Sequence, residues 1–283
     1  MGTSNTGGID MLDDNLHKYT DDPAFVKKSV SSVMSQRSLK VVYQPIVDHV
    51  AHQVFGYEAL SRPFVDSQVI RPDLWFRAAY DCKCSVEADL LALDCIVENA
   101  TLLPVGNVSQ PIFINVMPSS LDHPAFLKEL TRMIVQGLCQ PDHMVFEIVE
   151  YIDYDPQRLA EVMHILRSFG IGIALDDVGA TGGFSVEAVS QLKPDFVKID
   201  QSVVLGIAKS TFKQNWLKNM VQQLAPDCYS VIAEGIENIE DLQTVEETGI
   251  VFSQGYYWGR PMPSTSLPDY SMHVNLQHST SRA

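Results

Sequence analysis

The chain has 283 residues, 46% apolar and 19% charged, the balance of a folded globular protein. Its 20 basic and 35 acidic residues give a formal net charge of −15, which excludes a nucleic-acid polymer as the expected partner, since phosphate backbones select Lys and Arg patches. No apolar run approaches the ~20 residues of a membrane helix, so no membrane insertion is expected, and the first 22 residues hold no apolar core of a secretory signal. Cysteines 82, 84, 95, 139 and 228 form no paired framework and read as reduced thiols of a cytoplasmic protein.

Residues 1–38 read as a flexible N-terminus followed by a short helix from Asp22 or Pro23 to about Gln36. Strand-like runs follow at 41–47, 54–60, 111–117, 144–150, 171–177, 195–200, 229–235 and 250–259. Amphipathic segments separate most of them: "DLWFRAAYD", "SVEADLLALDCIVENATLL", "HPAFLKELTRMIVQGL", "PQRLAEVMHILRSFG", "FSVEAVSQLK", "STFKQNWLKNMVQQLA" and "NIEDLQTVEETG". Residues 266–283 form a polar tail. Alternating β and α units over 39–265, with no linker and no internal repeat, predict one domain with a parallel sheet and crossover helices. Without a Gly-x-Gly-x-x-Gly fingerprint, the eight runs favour a closed barrel of the TIM type.

In such a barrel the strands' C-terminal ends carry the chemistry. Here the runs carry Gln44, Glu58, Asn115, Glu147 with Glu150, Asp176 with Asp177, Lys198 with Asp200, Glu234 with Glu237, and Gln254. One polar strand end commonly caps the next helix. Nearly every strand delivering an acid, amide or lysine to one rim needs another cause, because converging carboxylates repel unless cations or protons intervene. The acids and Asn115 offer oxygen alone, which suits Mg2+ or Mn2+ rather than zinc, and adjacent Asp176 and Asp177 suit two ions.

Those residues stand in ordered blocks that resemble the EAL domain, the cyclic dimeric GMP phosphodiesterases of bacterial signalling. Glu58-Ala59-Leu60 lies in "YQPIVDHVAHQVFGYEALSRP", followed by "FINV", "FEIVE", "ALDDVG", "KPDFVKID", "VIAEGIE" and "QGYYWGRPMP". The resemblance covers about 39–265 and implies a modified (β/α)8 barrel with one antiparallel strand. It further implies hydrolysis of cyclic di-GMP to linear pGpG with two Mg2+ or Mn2+ ions per active site, inhibitory binding of Ca2+, and a cytoplasmic homodimer. Carried over position by position, Glu58, Asn115, Glu147 and Asp176 hold one ion, and Asp176 bridges to a second held by Asp177. Lys198 contacts the attacking water, and Glu234 serves as base or metal-side helper. Arg62 contacts the substrate phosphate and Gln44 the ligand. Asp200 adds to the substrate site, while Glu237 and Gln254 organise the metal shell and guanine-side pocket. Glu150 anchors the loop after the aspartate pair.

Two departures stand out. The segment from Asp177 to Ser185 is one residue longer than the family's Asp-Phe-Gly-x-Gly-x-Ser-Ser, and Val116-Met117 follows Asn115 where a serine is common. A glycine-rich loop needs an anchor, and Glu150 is expected to accept hydrogen bonds from its N–H groups, Thr181 or Ser185. The rival reading is a catalytically silent cyclic di-GMP receptor acting through protein partners. Such a protein loses metal ligands, whereas every ligand position is filled here. For the homodimer, Phe212, Trp216, Leu217, Met220 and Leu224 recur at helical spacing, part of that face packing on the barrel and the remainder meeting a second copy.

Overall fold

The computed structural model describes residues 20–66, 68–100, 110–224 and 230–267. The expected flexible start (1–19), Cys228 and most of the polar tail (268–283) lie outside them. The chain forms two compact units, one from 1–40 and 61–95, the other from 41–60 and 96–283.

The first unit opens with α1 (Pro23–Gln36), placed as the sequence predicts. Asp22 caps it by accepting from Ala24 N, and Arg37 ends it in the left-handed region at φ 50°. Strands β1 (Leu39–Asp48) and β2 (Gln53–Val65) run through both units, and β2 pairs antiparallel with the short β3 (Gln68–Val69). Helix α2 (Pro72–Asp81) buries Trp75 completely, and α3 (Ser85–Ala100) follows.

The second unit continues through β4 (Ile112–Val116), α4 (Pro118–Leu121), α5 (Pro124–Val135), β5 (Met144–Ile148), α6 (Pro156–Ser168), β6 (Gly172–Val178) and α7 (Val186–Leu192). It ends with β7 (Phe196–Ile199), α8 (Gln201–Val204), α9 (Thr211–Leu224), β8 (Ser230–Ala233), α10 (Ile239–Glu246) and β9 (Phe252–Gln254). The sheet order is β1-β9-β8-β7-β6-β5-β4-β2, and a β1–β2 pairing closes it into an eight-stranded barrel. β1 runs antiparallel to β9, while the other neighbours from β2 round to β9 are parallel. The reversal has a local cause: only the turn 49–52, with His52 at φ 54°, separates β1 from β2, too short for a crossover helix. The expected run 250–259 shrinks to three strand residues, and β5 stops before Glu150, which lies in the turn beyond.

A layer of apolar side chains fills the barrel near the start of its parallel strands. Ile46, Phe113, Val145, Ala174 and Ile232 form its buried centre, with Phe55, Phe196 and Phe252 packed against it. The rings meet at centroid distances of 4.5 to 6.2 Å in edge-on or tilted geometry. Side chains two residues apart along a strand share a face, so each of these strands presents its next inward residue one layer higher. Two residues beyond Phe113, Val145, Ala174, Phe196, Ile232 and Phe252 stand Asn115, Glu147, Asp176, Lys198, Glu234 and Gln254. On the reversed β1 the step runs backward, from Ile46 to Gln44. The apolar plug thus raises the polar residues together to the C-terminal end of the barrel.

Replacing the fully buried Phe113 by Ala should destabilise the fold by about 3–5 kcal/mol, read from urea unfolding. A loss below about 1 kcal/mol would show that this layer does not hold the barrel closed.

Candidate active site

Lys198 lies in the middle of the polar layer with a side chain only 1% exposed. Its Nζ stands 2.8 Å from Glu234 Oε1, 2.9 Å from Glu147 Oε1, 3.0 Å from Asp176 Oδ1 and 3.5 Å from Glu58 Oε2. Three ammonium protons cannot align on four carboxylates, and Glu147 Oε1 and Asp176 Oδ1 take no well-directed hydrogen bond despite the short distances. Asn115 donates from Nδ2 to Glu58 Oε1 (2.9 Å) and Glu147 Oε2 (3.0 Å), tying β2, β4 and β5 together. Gln254 donates to Glu58 Oε2 (2.6 Å) and Gln44 Oε1 (3.1 Å), and Gln44 donates to the Gly259 carbonyl (3.2 Å).

Asp176 and Asp177 are neighbours in one strand, and regular strand geometry would send them to opposite faces. The structure avoids this with a bulge. The β6–β7 register shifts between Leu175 and Val178, and Asp177 adopts φ 52°, a left-handed conformation rare for a residue with a side chain. Oxygens of Asp176, Asp177 and Glu234 consequently lie within 4.8 Å of one another. The turn closes tightly behind: a Cβ at Gly183 would overlap the Asp177 carbonyl oxygen, so only glycine fits there.

Above this floor opens a cavity of about 360 Å³ whose walls include Gln44, Glu58, Asp177, Asp200, Glu234, Glu237 and Gln254. Asp200 also caps α8 by accepting from Ser202 N, and Glu237 is exposed at the edge. Leu60, Gln201 and Tyr256 line the cavity as well and were missed by sequence reasoning. Leu60 and Tyr256 lie inside the site motifs and Gln201 directly follows Asp200, which was the available signal. Arg62 belongs to the first unit, where its Nη1 donates to the Ser61 carbonyl at 3.0 Å. The carboxyl of Glu150 faces that of Asp177, the first residue of the loop it is expected to anchor. Ser185 caps α7 by accepting from Ala188 N, and the loop amides of Gly179, Ala180 and Gly183 go to Phe184 O, Asp177 O and Ala180 O.

The electrostatics follow from burial and crowding. Burial, with the charges of Glu58 and Asp176, pushes Glu147 well above the carboxylate range against the pull of Lys198. Burial, joined by Asp176, Glu150, Glu234 and Asp200, raises Asp177 to about 9, and Glu234 reaches about 8 by burial despite Lys198. For Glu58, burial pushes upward but is outweighed by Lys198 and by hydrogen bonds from Gln254 and Asn115, which leave it lowered. Lys198 is held firmly protonated by its four carboxylates in spite of burial. One ammonium therefore does not neutralise the cluster, and the carboxyls hold protons unless further cations arrive. The buried Glu147 and Asp176 oxygens, the buried unpartnered Oε1 of Gln254 and the all-oxygen acid set fit hard divalent cations.

The EAL domain family model matches residues 27–261. This chain belongs to the EAL domain family. The probable cyclic di-GMP phosphodiesterase PdeN of Escherichia coli strain K12 is 27% identical over 243 residues, covering 83% of this EAL chain and 46% of its own length. A Klebsiella pneumoniae BlrP1 structure, a complex with manganese and cyclic di-GMP, is 27% identical with a TM-score of 0.70, covering 80% of this chain and 57% of that one. An EAL domain protein from Listeria monocytogenes shares the fold at a TM-score of 0.70 and 23% identity, over 83% of this chain and 93% of that one. The chain spans less than half the length of PdeN and of other curated relatives that it matches.

Unfolded carboxyls titrate near pH 4, whereas Asp177 and Glu234 reach about 9 and about 8 in the fold. The metal-free fold thus binds more protons than the unfolded chain from roughly pH 4 to about pH 9, and its stability falls as pH rises through that window. A cation displaces those protons, so Mg2+ should raise the melting temperature more at about pH 8 than at about pH 6. Equal shifts in calorimetric scans at the two pH values would contradict this.

Proposed function

We propose that this EAL chain hydrolyses cyclic di-GMP to linear pGpG with Mg2+ or Mn2+, two ions per active site. The observation that carries this reading is the convergence of Glu58, Asn115, Glu147, Asp176, Asp177 and Glu234 around the Lys198 ammonium beneath an open cavity. Glu58, Asn115, Glu147 and Asp176 would hold one ion; Asp176 and Asp177 would hold the second, with Glu234 beside it. Such ions supply Lewis acidity toward the phosphate and the water that attacks it.

The chain's own residues do the rest. Lys198 holds four carboxylates in one layer and adds a fixed positive field that favours the anionic form of the attacking water. Glu234 offers a carboxylate oxygen as proton acceptor. Asp200 and Glu237 line the cavity with acceptors, which suits the N–H donors of a guanine edge, and Gln44 and Gln254 form the opposite contacts. In the reaction water adds its oxygen to phosphorus, one P–O ester bond breaks, and a proton passes to the leaving oxygen, opening the ring.

A cytoplasmic homodimer accompanies this reading. Among the described residues no helix is long and apolar enough to cross a membrane. On α9, Leu217, Met220 and Leu224 are buried, while Phe212 stands 79% exposed and offers an apolar contact to a second copy. Light scattering should give twice the chain mass; a monomer at high concentration with substrate and metal present would remove the dimer from the account.

Wild-type protein with Mg2+ or Mn2+ should yield pGpG, and a chelator should stop it. Glu58→Ala and Asp176→Asn should each lower turnover at least about 100-fold, beyond the range of outer-shell substitutions, while remaining folded. Ca2+ should bind and support little turnover, because its larger, looser shell does not suit a compact pair. Tight substrate binding without product under either metal would replace the enzyme with a receptor.

A further inference from the structure

Asp177 keeps a strained backbone only if its surroundings over-determine it. The segment that must do so contains Gly179, Gly182 and Gly183, all entropically easy to open. Its internal bonds are few and long: Gly179 N to Phe184 O at 3.4 Å, Ala180 N to Asp177 O at 3.2 Å and Gly183 N to Ala180 O at 3.1 Å. Phe184 is the one buried side chain between Gly179 and Ser185. Its ring packs on Tyr154 at a centroid distance of 5.6 Å and an interplanar angle of 49°. Tyr154 is well founded, between the buried Ile152 and Asp155, which caps α6 by accepting from Arg158 N at 2.9 Å.

We propose that Tyr154 is a positioning residue for the cation site, clamping Phe184 and through it the turn that holds Asp177 left-handed beside Asp176 and Glu234. The contact links the loop after β5 to the loop after β6, so a ring pair holds the longer glycine-rich turn from the side of Phe184. The chain of contacts is short. Phe184 fixes its own carbonyl, that carbonyl receives Gly179 N, and the turn so closed sets Gly183 against the Asp177 carbonyl oxygen. The role in cation binding rests on the reading of Asp177 as a ligand.

The test compares Tyr154→Leu and Phe184→Ala with Tyr154→Phe in the full chain. Mn2+ binding is followed by electron paramagnetic resonance, and amide exchange of 179–184 is measured without metal. Tyr154→Leu and Phe184→Ala should weaken apparent Mn2+ affinity roughly two- to tenfold, the range that one aromatic pair supports, and should speed exchange at Gly179 and Gly183. Tyr154→Phe keeps the ring and should match wild type in both readouts. Tyr154 is half-buried, so its leucine variant should fold, and its melting temperature verifies that. Wild-type exchange and Mn2+ affinity in folded Tyr154→Leu would overturn the proposal, as would a phenylalanine variant as damaged as the leucine one. A wild type that takes up no Mn2+ would overturn the ligand reading of Asp177 and the positioning role with it, whereas bound Mn2+ without pGpG would count only against hydrolysis.

Discussion

Everything at the polar end of this barrel depends on one buried ammonium. Lys198 brings together carboxylates from β2, β5, β6 and the end of β8 that would otherwise repel one another. A buried ion pair is weak evidence for stability, since desolvation opposes the Coulombic gain. Its value here is geometric. The lysine sets how closely the acids approach, yet carries too little charge to neutralise them, and that deficit is what equips the site for divalent cations.

The second constraint is the barrel's layering. The phenylalanine layer closes the interior near the start of the parallel strands, and a two-residue step lifts Gln44, Asn115, Glu147, Asp176, Lys198, Glu234 and Gln254 directly above it. Asp177 breaks that period. It reaches the site because the bulge turns an adjacent residue back to the same face, at the cost of backbone strain. Glycine at 183, Phe184 on Tyr154 and the indole of Trp216 against Gly179 surround the strained turn. The exacting part of the site thus depends on a strand bulge and the turn behind it, while most of the rest stands on regular strands.

Much of this was legible in the sequence. Apolar runs with polar ends announced the strands and the rim, and Glu58, Asn115, Glu147, Asp176, Lys198 and Glu234 do meet there. The antiparallel direction of β1 was legible too, had the few residues between the first two runs been set against the length of a crossover helix. Other features had no linear trace. The bulge at Asp177 depends on register with β7, and the contact of Glu150 with Asp177 depends on where β5 ends. Phe184 read as part of a helical segment, and only its packing on Tyr154 gives it a role in the loop.

The central claim is that cations take over from protons in a carboxyl cluster that Lys198 alone leaves under-neutralised. The most direct measurement is the number of protons released when Mg2+ or Mn2+ binds near neutral pH, obtained by calorimetry in buffers of different ionisation enthalpy. The account predicts measurable proton release on binding, diminished in Asp177→Asn. Binding with no proton exchange would mean that the acids already stand ionised around Lys198, and would contradict it.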